Sequence, residues 1–194
     1  MDQEKDEKLG LEDVDWSQLP APEEDGAVVH LPGRRVPSVA LAATGGGVVD
    51  LAAVPGRVVV FVYPMTGVPG EALPEGWDMI PGARGCTPQA CAFRDLYSEL
   101  AAAGVSAVFG LSTQAPEAQA EAAARLHLPF PLLSDAGLAF GDGLGLPRFE
   151  AGGAVRLKRV SLVVDDGVIT QVFYPIFPPD QNAEIVLDWV RGTA

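Results

Sequence analysis

The run RVVVFVYP, residues 57–64, is the local pattern that says most about the fold. Between Arg57 and the closing proline, every residue is apolar and either β-branched or aromatic. Such a run is typical of a strand buried on both faces, because a half-exposed strand would alternate apolar with polar residues. The run is far too short to cross a membrane, which takes about 20 apolar residues. The sequence therefore predicts a buried central strand.

The segments on either side of this strand alternate between strand and helix patterns. Upstream, residues 36–54 predict a β-hairpin around three consecutive glycines. Downstream, a long glycine- and proline-rich loop over residues 65–82 leads to a predicted helix over 86–104. The remaining predictions are a strand (105–112), a helix (116–126), a short strand (130–135), a small helix or loop (136–147), a hairpin (156–175) and a terminal helix (183–192). This order predicts an α/β, thioredoxin-like fold: a mixed central β-sheet flanked by helices, with an N-terminal β-hairpin extension.

Charge is concentrated at the beginning of the chain. The 194 residues carry a net charge of -13, and residues 1–25 contain ten acidic and two basic side chains. A segment so charged and poor in apolar groups predicts a flexible acidic tail over 1–25, ahead of a single domain over 26–194. The acidic balance argues against nucleic acids and anionic membranes as partners, since both are polyanions. No basic start followed by an apolar stretch indicates secretion, so we expect a cytoplasmic protein.

Both cysteines lie in one stretch, GARGCTPQACAFRD, residues 82–95. In a reducing cytoplasm they do not indicate a structural disulfide, which leaves catalytic, redox-sensing or inert buried thiols. Cys86 follows Gly85 and opens the predicted helix, where unpaired N–H groups and the helix dipole favour the nucleophilic thiolate. Arg84 adds positive charge nearby. A small buried hydrophobe is the alternative role for this cysteine.

Cys91 lies five positions further along the same predicted helix. On an ideal helix the two Cα atoms would be roughly 8.7 Å apart, beyond the about 7 Å that a disulfide tolerates. A bond between them therefore needs the first turns to unwind, which suggests a cycling disulfide. Four intervening residues, where a redox CxxC motif has two, make dithiol exchange of that type the weaker reading. Zinc binding is disfavoured because the other soft donors, His30 and His127, are remote in sequence.

The stretch GCTPQACAFRD closely resembles the active-site helix of the peroxiredoxins, specifically the peroxiredoxin Q or bacterioferritin-comigratory type. RVVVFVYP, GLSTQAPEAQAEAAARLHLPFPLLSD and LKRVSLVVDDGVI resemble further blocks of that family, so the likeness covers nearly all of residues 37–190. The resemblance implies that Cys86 is the peroxidatic cysteine and Cys91 the resolving cysteine. It also implies that Arg159 steadies the thiolate and the peroxide oxygens.

The active-site loop departs from the family pattern Pro-x-x-x-Thr-x-x-Cys. Pro64 ends the strand as expected, but Cys86 follows it 22 residues later, and Ala83 stands where the family has threonine. Thr66, just after Pro64, is the candidate to supply the missing hydroxyl if the loop folds back. Together with Pro64 and Thr66, the predicted substrate-binding positions include Gly85 and Arg84. The inserted residues, including Trp77 and Ile80, are expected to reshape the pocket entrance.

The resemblance implies a thiol-dependent peroxidase for hydrogen peroxide and organic hydroperoxides. Its disulfide would be reduced by thioredoxin or a similar dithiol, with no metal or organic cofactor. An intramolecular disulfide needs no second subunit, so a monomer is expected. Two other functions stay open: a thiol–disulfide oxidoreductase that reduces peroxide poorly, and a non-enzymatic redox sensor.

Overall fold

A seven-stranded mixed sheet forms the centre of the molecule in the computed structural model, which describes residues 14–193. Its strands are β1 (Leu41–Ala43), β2 (Val48–Val49), β3 (Arg57–Val62), β4 (Val105–Ser112), β5 (Leu132–Ser134), β8 (Val160–Asp165) and β9 (Val168–Phe173), and a separate hairpin contains β6 (Arg148–Ala151) and β7 (Ala154–Leu157). The order in the sheet is β2-β1-β5-β4-β3-β8-β9. Strand β3 pairs parallel with β4 and antiparallel with β8, so the prediction of a buried central strand is confirmed.

The predicted N-terminal hairpin joins this sheet as an extension of one edge. Strands β1 and β2 pair with each other, and β1 also pairs antiparallel with β5. At the other edge, the Asp165–Gly167 turn connects β8 to β9, as its sequence predicts. The thioredoxin-like fold class is thereby confirmed, including its mixed sheet and its hairpin extension.

Helices cover both faces of the sheet. They are α1 (Cys86–Asp95), α2 (Tyr97–Ala102), α3 (Pro116–Arg125), α4 (Ala139–Leu144) and α5 (Asn182–Gly192), with short 3₁₀ helices at Trp16–Gln18, Leu51–Ala53, Trp77–Met79 and Pro179–Gln181. The prediction of one helix over 86–104 is wrong in its continuity. The α-helical geometry is interrupted at Leu96, whose φ of -99° and ψ of 11° separate α1 from α2.

The side chains of β3 alternate between two hydrophobic cores, one on each face of the sheet. Val58, Val60 and Val62 contribute to the core that includes α4. Val59 and Phe61 contribute to the core shared by α1, α2, α3 and α5. Phe61 stacks on Phe93 of α1 with ring centroids 4.5 Å apart. Helix α1, which contains both cysteines, is thereby fixed against the central strand.

A third, smaller core fixes the long loop over residues 65–82. Trp77 is buried and packs against Phe149 of the β6–β7 hairpin, together with Ala83 and Ala151. The sequence analysis did not predict this hairpin, because strands of four residues around Gly152–Gly153 carry little pattern of their own. The hairpin supports the loop that precedes Cys86, so it helps to position the site.

Part of the predicted acidic tail lies against the domain. Residues 1–13 fall outside the described residues. Trp16 donates a hydrogen bond to Asp180 at 3.0 Å and packs edge-on against Phe177. Asp25 accepts hydrogen bonds from Lys158 at 3.0 Å and from Tyr174 at 2.9 Å. The boundary at residue 25 stays a prediction.

None of the helices between residues 14 and 193 has the length and apolar composition needed to span a bilayer.

Candidate active site

Cys86 is the first residue of α1, as the sequence predicts, and Gly85 makes this position possible. Gly85 has a φ of 102°, a left-handed conformation that favours glycine. A side chain there would also collide with its neighbours, because a Cβ atom would lie 2.3 Å from Pro179 and 2.7 Å from Trp16. The chain can therefore turn sharply into the helix and present the Cys86 sulfur at its N-terminal end.

Two hydrogen-bond donors converge on the Cys86 sulfur. The Arg159 Nη2 atom lies 3.3 Å from Sγ, and the backbone N–H of Met65 lies 3.4 Å from it. The thiol can itself donate to the Ala83 carbonyl at 3.6 Å. A guanidinium and an amide aimed at one sulfur stabilise negative charge on it, so the arrangement favours a reactive thiolate.

The Arg159 side chain is buried, at 3% exposure, and its terminal nitrogens are fully engaged. Besides the sulfur, Nη2 donates to the carbonyls of residues 82, 83 and 84 at 3.1–3.2 Å. Nη1 donates to the Gln89 side-chain oxygen. Arg159 therefore holds the backbone just before Cys86 as well as the sulfur itself, and only its buried Nε has no hydrogen-bond partner within the described chain.

Gln89 links Arg159 to Asn182 at the start of α5. Its amide nitrogen donates to Asn182 at 2.9 Å, and Asn182 also accepts from Ser161 at 2.7 Å. All three side chains are buried. The network joins α1 to β8 and to the start of α5, so the guanidinium cannot shift without breaking buried hydrogen bonds.

Cys91 lies in the same helix and is also a buried free thiol. Burial raises the pKa of the Cys91 thiol, and nearby Arg94 opposes this only in part. Cys91 is thus held in its neutral form within the core. Because α1 is intact from Cys86 to Asp95, a bond between the two sulfurs requires its first turns to unwind.

A cleft gives access to Cys86. It has a volume of about 310 Å³, and the loop that follows β3 supplies most of one wall. Met65, Leu73 and Trp77 contribute from this loop, and Arg84 and Cys86 from the start of α1. The expectation for Trp77 agrees with its place in this wall. Ile80 lies elsewhere, at a larger apolar cavity beside Phe149 and Tyr174, so its predicted place at the entrance is wrong.

Comparison with known proteins shows which family this chain resembles. The family model described as Redoxin matches residues 31–187. The Escherichia coli peroxiredoxin Bcp is 33% identical over 71% of this chain and 80% of that protein. The chloroplastic peroxiredoxin Q of Populus jackii is 30% identical over 82% of this chain and 68% of its own. The crystal structure of the Mycobacterium tuberculosis peroxidoxin BcpB superimposes with a TM-score of 0.69 at 29% identity, covering 85% of this chain and 99% of that one.

The chain belongs to the peroxiredoxins, in the Q or Bcp group. The family resemblance seen in the sequence is confirmed, and the protein is an oxidoreductase of the thiol-dependent peroxidase class.

Thr66 is hydrogen-bonded to Gln114 in this peroxiredoxin, and its role in binding peroxide stays a prediction. Its hydroxyl donates to the side-chain oxygen of Gln114 at 3.1 Å, and its backbone N–H donates to the same oxygen at 2.9 Å. Gln114 in turn donates to the Thr66 carbonyl at 3.1 Å. Within the described residues no hydrogen bond joins Thr66 to Cys86. The loop brings the Met65 amide to the sulfur instead.

Two of the other three predicted substrate-binding residues line the cleft, and the third does not. Arg84 and Gly85 line the cleft, and Arg84 forms an ion pair with Asp78 at 3.1 Å. Pro64 is buried two residues after the end of β3. Their roles in binding substrate stay predictions.

Several residues that shape the site of this peroxiredoxin were missed in the sequence. Gln89 lies three positions after Cys86. This helical spacing places both side chains on one face of the helix, and it could have indicated that Gln89 belongs to the site. The Met65 amide lies at the site, and Gln114 contacts the loop there, only because of the path that the inserted loop takes. The sequence contains no periodic pattern that predicts this path. Asn182 comes from the other end of the chain.

Proposed function

We propose that Cys86 is the peroxidatic nucleophile of this peroxiredoxin. Its thiolate attacks one oxygen of a hydroperoxide, the O–O bond breaks, and the sulfur is oxidised by two electrons to a sulfenic acid. The other oxygen takes up a proton from solvent and leaves as water or an alcohol. The observation that supports this proposal most directly is the pair of donors on Sγ, Arg159 at 3.3 Å and the Met65 amide at 3.4 Å.

The same donors are suited to the charge that develops during attack. As the S–O bond forms, negative charge moves from sulfur to the leaving oxygen, and fixed donors stabilise this charge without having to reorganise. The backbone before Cys86 is held by Arg159, so the cleft is preorganised. No metal or organic cofactor takes part in the proposed reaction.

We further propose that Cys91 resolves the sulfenic acid. After the first turns of α1 unwind, the Cys91 sulfur displaces water from the Cys86 sulfenic acid and a disulfide forms. Until then burial keeps Cys91 neutral, which protects it from reacting first. An external dithiol, for which thioredoxin is our proposal, then reduces the disulfide. A monomer in the cytoplasm is sufficient for this cycle.

Mass spectrometry before and after one equivalent of peroxide tests the assignment. We expect a loss of two hydrogens and a Cys86–Cys91 crosslink in the digested protein. Cys86→Ser should abolish peroxide consumption. Cys91→Ser should complete one turnover and accumulate a sulfenic acid that dimedone traps. Unchanged peroxide consumption by Cys86→Ser would refute the nucleophile, and the absence of a trapped species in Cys91→Ser would refute the resolving role.

Turnover separates this function from its two alternatives. A peroxidase consumes many equivalents of peroxide when thioredoxin and its reductase are supplied. A redox sensor oxidises once and stops, and a thiol–disulfide oxidoreductase reduces a disulfide substrate faster than it reduces peroxide. Serum albumin, which also has a reactive thiol, provides a control for non-catalytic consumption.

A further inference from the structure

Arg156 lies on the face of the β6–β7 hairpin that supports the catalytic loop. In the hairpin it is directly opposite Phe149, and residues that pair across antiparallel strands share a face. Phe149 packs against Trp77 in the third core, which also contains Ala83. Trp77 lines the Cys86 cleft, and the Ala83 carbonyl accepts from the sulfur. The hairpin therefore directs the Arg156 side chain towards the structure that surrounds Cys86.

Among the described residues, no carboxylate neutralises this guanidinium. Arg156 is half-buried, its Nε atom is fully buried without a hydrogen-bond partner, and between residues 14 and 193 it forms no ion pair. Arg148 in the same hairpin differs, since it is exposed and pairs with Asp142 at 2.8 Å. Placing an unpaired charge in a partly buried site costs stability, so packing alone does not explain Arg156.

The charge on Arg156 interacts with the catalytic sulfur. Burial lowers the pKa of Arg156, and the negative charge of Cys86 is the influence that opposes this shift. The neighbouring positively charged side chains already have partners. The terminal nitrogens of Arg159 are engaged by carbonyls, Gln89 and the sulfur, and Arg84 pairs with Asp78. Arg156 thus provides positive charge near the cleft that no protein anion offsets in the described chain.

We propose that Arg156 is a specificity residue that gives the Cys86 cleft a preference for anionic peroxy compounds, those with a carboxylate near the O–O bond, over neutral ones. The proposal rests on the proposed function, because it concerns the substrate of the same sulfur. A fixed positive charge raises the local concentration of anions and lowers the energy of their encounter with the thiolate, whereas it leaves neutral reagents almost unaffected.

Two pairs of reagents test the charge directly. Iodoacetate is an anion and iodoacetamide is its neutral counterpart, and both alkylate a thiolate by displacing iodide. Monoperoxyphthalate carries a carboxylate beside its peroxy acid group, and peroxybenzoic acid lacks it. For each pair, we divide the rate at which Cys86 reacts with the anion by the rate at which it reacts with the neutral reagent. In Arg156→Met this anion-to-neutral ratio should fall at least about three-fold in both pairs. The modified Cys86 peptide is quantified by mass spectrometry, and the ratio should fall less at 0.5 M salt, where screening is strong.

Matched variants separate charge from structure. Arg148→Met removes the same charge from the same hairpin and should leave both ratios unchanged. Arg156→Lys keeps the charge and should restore most of each ratio. Arg156→Met should also unfold at a temperature no lower than the wild type, because it removes an unpaired charge.

The proposal is overturned if either ratio is unchanged in Arg156→Met, or if Arg148→Met lowers the ratios equally. A wild-type protein that reacts with no peroxide would instead refute the proposed function. The alkylation pair would still measure the influence of Arg156 in that case, so the two failures are distinguishable.

Discussion

At the residue scale, Arg159 connects the Cys86 sulfur to the backbone that precedes it. Its planar guanidinium reaches Sγ, three successive carbonyls and Gln89 at once. A lysine ammonium is a single compact charge and cannot span this set of acceptors. The geometry of the donor therefore matters as much as its charge.

Arg159→Lys should consequently slow the oxidation of Cys86 by about a hundred-fold, the typical cost of removing a donor from a preorganised charged site. The rate is measured by stopped-flow fluorescence with a single equivalent of peroxide. Arg34→Lys is the control, because Arg34 also donates to two carbonyls, those of residues 143 and 144, away from the sulfur. Retention of the wild-type rate in Arg159→Lys would show that charge alone is sufficient.

The residues that could be predicted are those that lie in local patterns. Cys86 and Cys91 are placed by a helix start that a glycine and a proline mark in the sequence, and Arg159 follows from the family resemblance. The Met65 amide and Arg156 could not be found in this way. Their positions depend on how the inserted loop and the small hairpin pack on each other, which is a tertiary property.

At the scale of elements, the proposed cycle places two conflicting requirements on α1. It must be ordered to hold Cys86 against its donors, and its first turns must unwind before Cys91 can reach Cys86. The contact between Gln89 and Asn182 at 2.9 Å ties the beginning of α1 to α5, so it opposes unwinding. The strength of this contact should set the balance between the two steps.

Asn182→Ala should therefore destabilise the protein by about 1–3 kcal/mol, because it leaves the buried Gln89 amide without an acceptor. Disulfide formation should become faster and the initial oxidation of Cys86 slower, as the unwound form gains population. Both rates are followed after mixing with peroxide, and hydrogen exchange of the α1 amides reports the unwinding. Ser161→Ala removes only the other donor to Asn182 and should affect exchange in α1 much less. Faster oxidation of Cys86 in Asn182→Ala would contradict this role.

The sheet and most helices could be predicted because their apolar patterns are continuous, as in β3 and β4. The break at Leu96 could not be predicted, because the sequence on both sides of it favours a helix. The β6–β7 hairpin was missed for a different reason. Its stability comes from packing on Trp77, a residue some seventy positions earlier in the chain.

At the scale of the whole molecule, the segment over residues 16–25 packs beside the start of α1. Trp16 packs where Gly85 leaves room, and its indole binds Asp180. Asp25 anchors the other end of the segment to Lys158 and Tyr174. Lys158 immediately precedes Arg159, so this anchor connects the segment to the residue whose guanidinium donates to the Cys86 sulfur.

The anchor should depend on pH in a defined direction. The hydrogen bond from Lys158, followed by that from Tyr174, lowers the pKa of Asp25 from 3.8 to about 2. Because the folded pKa lies below the unfolded one, the stabilising contribution of Asp25 is fully present above pH 3.8 and is lost as the pH falls towards 2.

Asp25→Asn should therefore increase hydrogen exchange of residues 16–25 at pH 6. The difference from the wild type should shrink as the pH falls towards 2 and disappear below pH 2, where the wild-type carboxyl is protonated and carries no charge either. Glu24→Gln, whose contact is to Gly26 in its own turn, should exchange like the wild type. A difference in Asp25→Asn that persists unchanged at pH 2 would show that the anchor does not depend on the Asp25 charge.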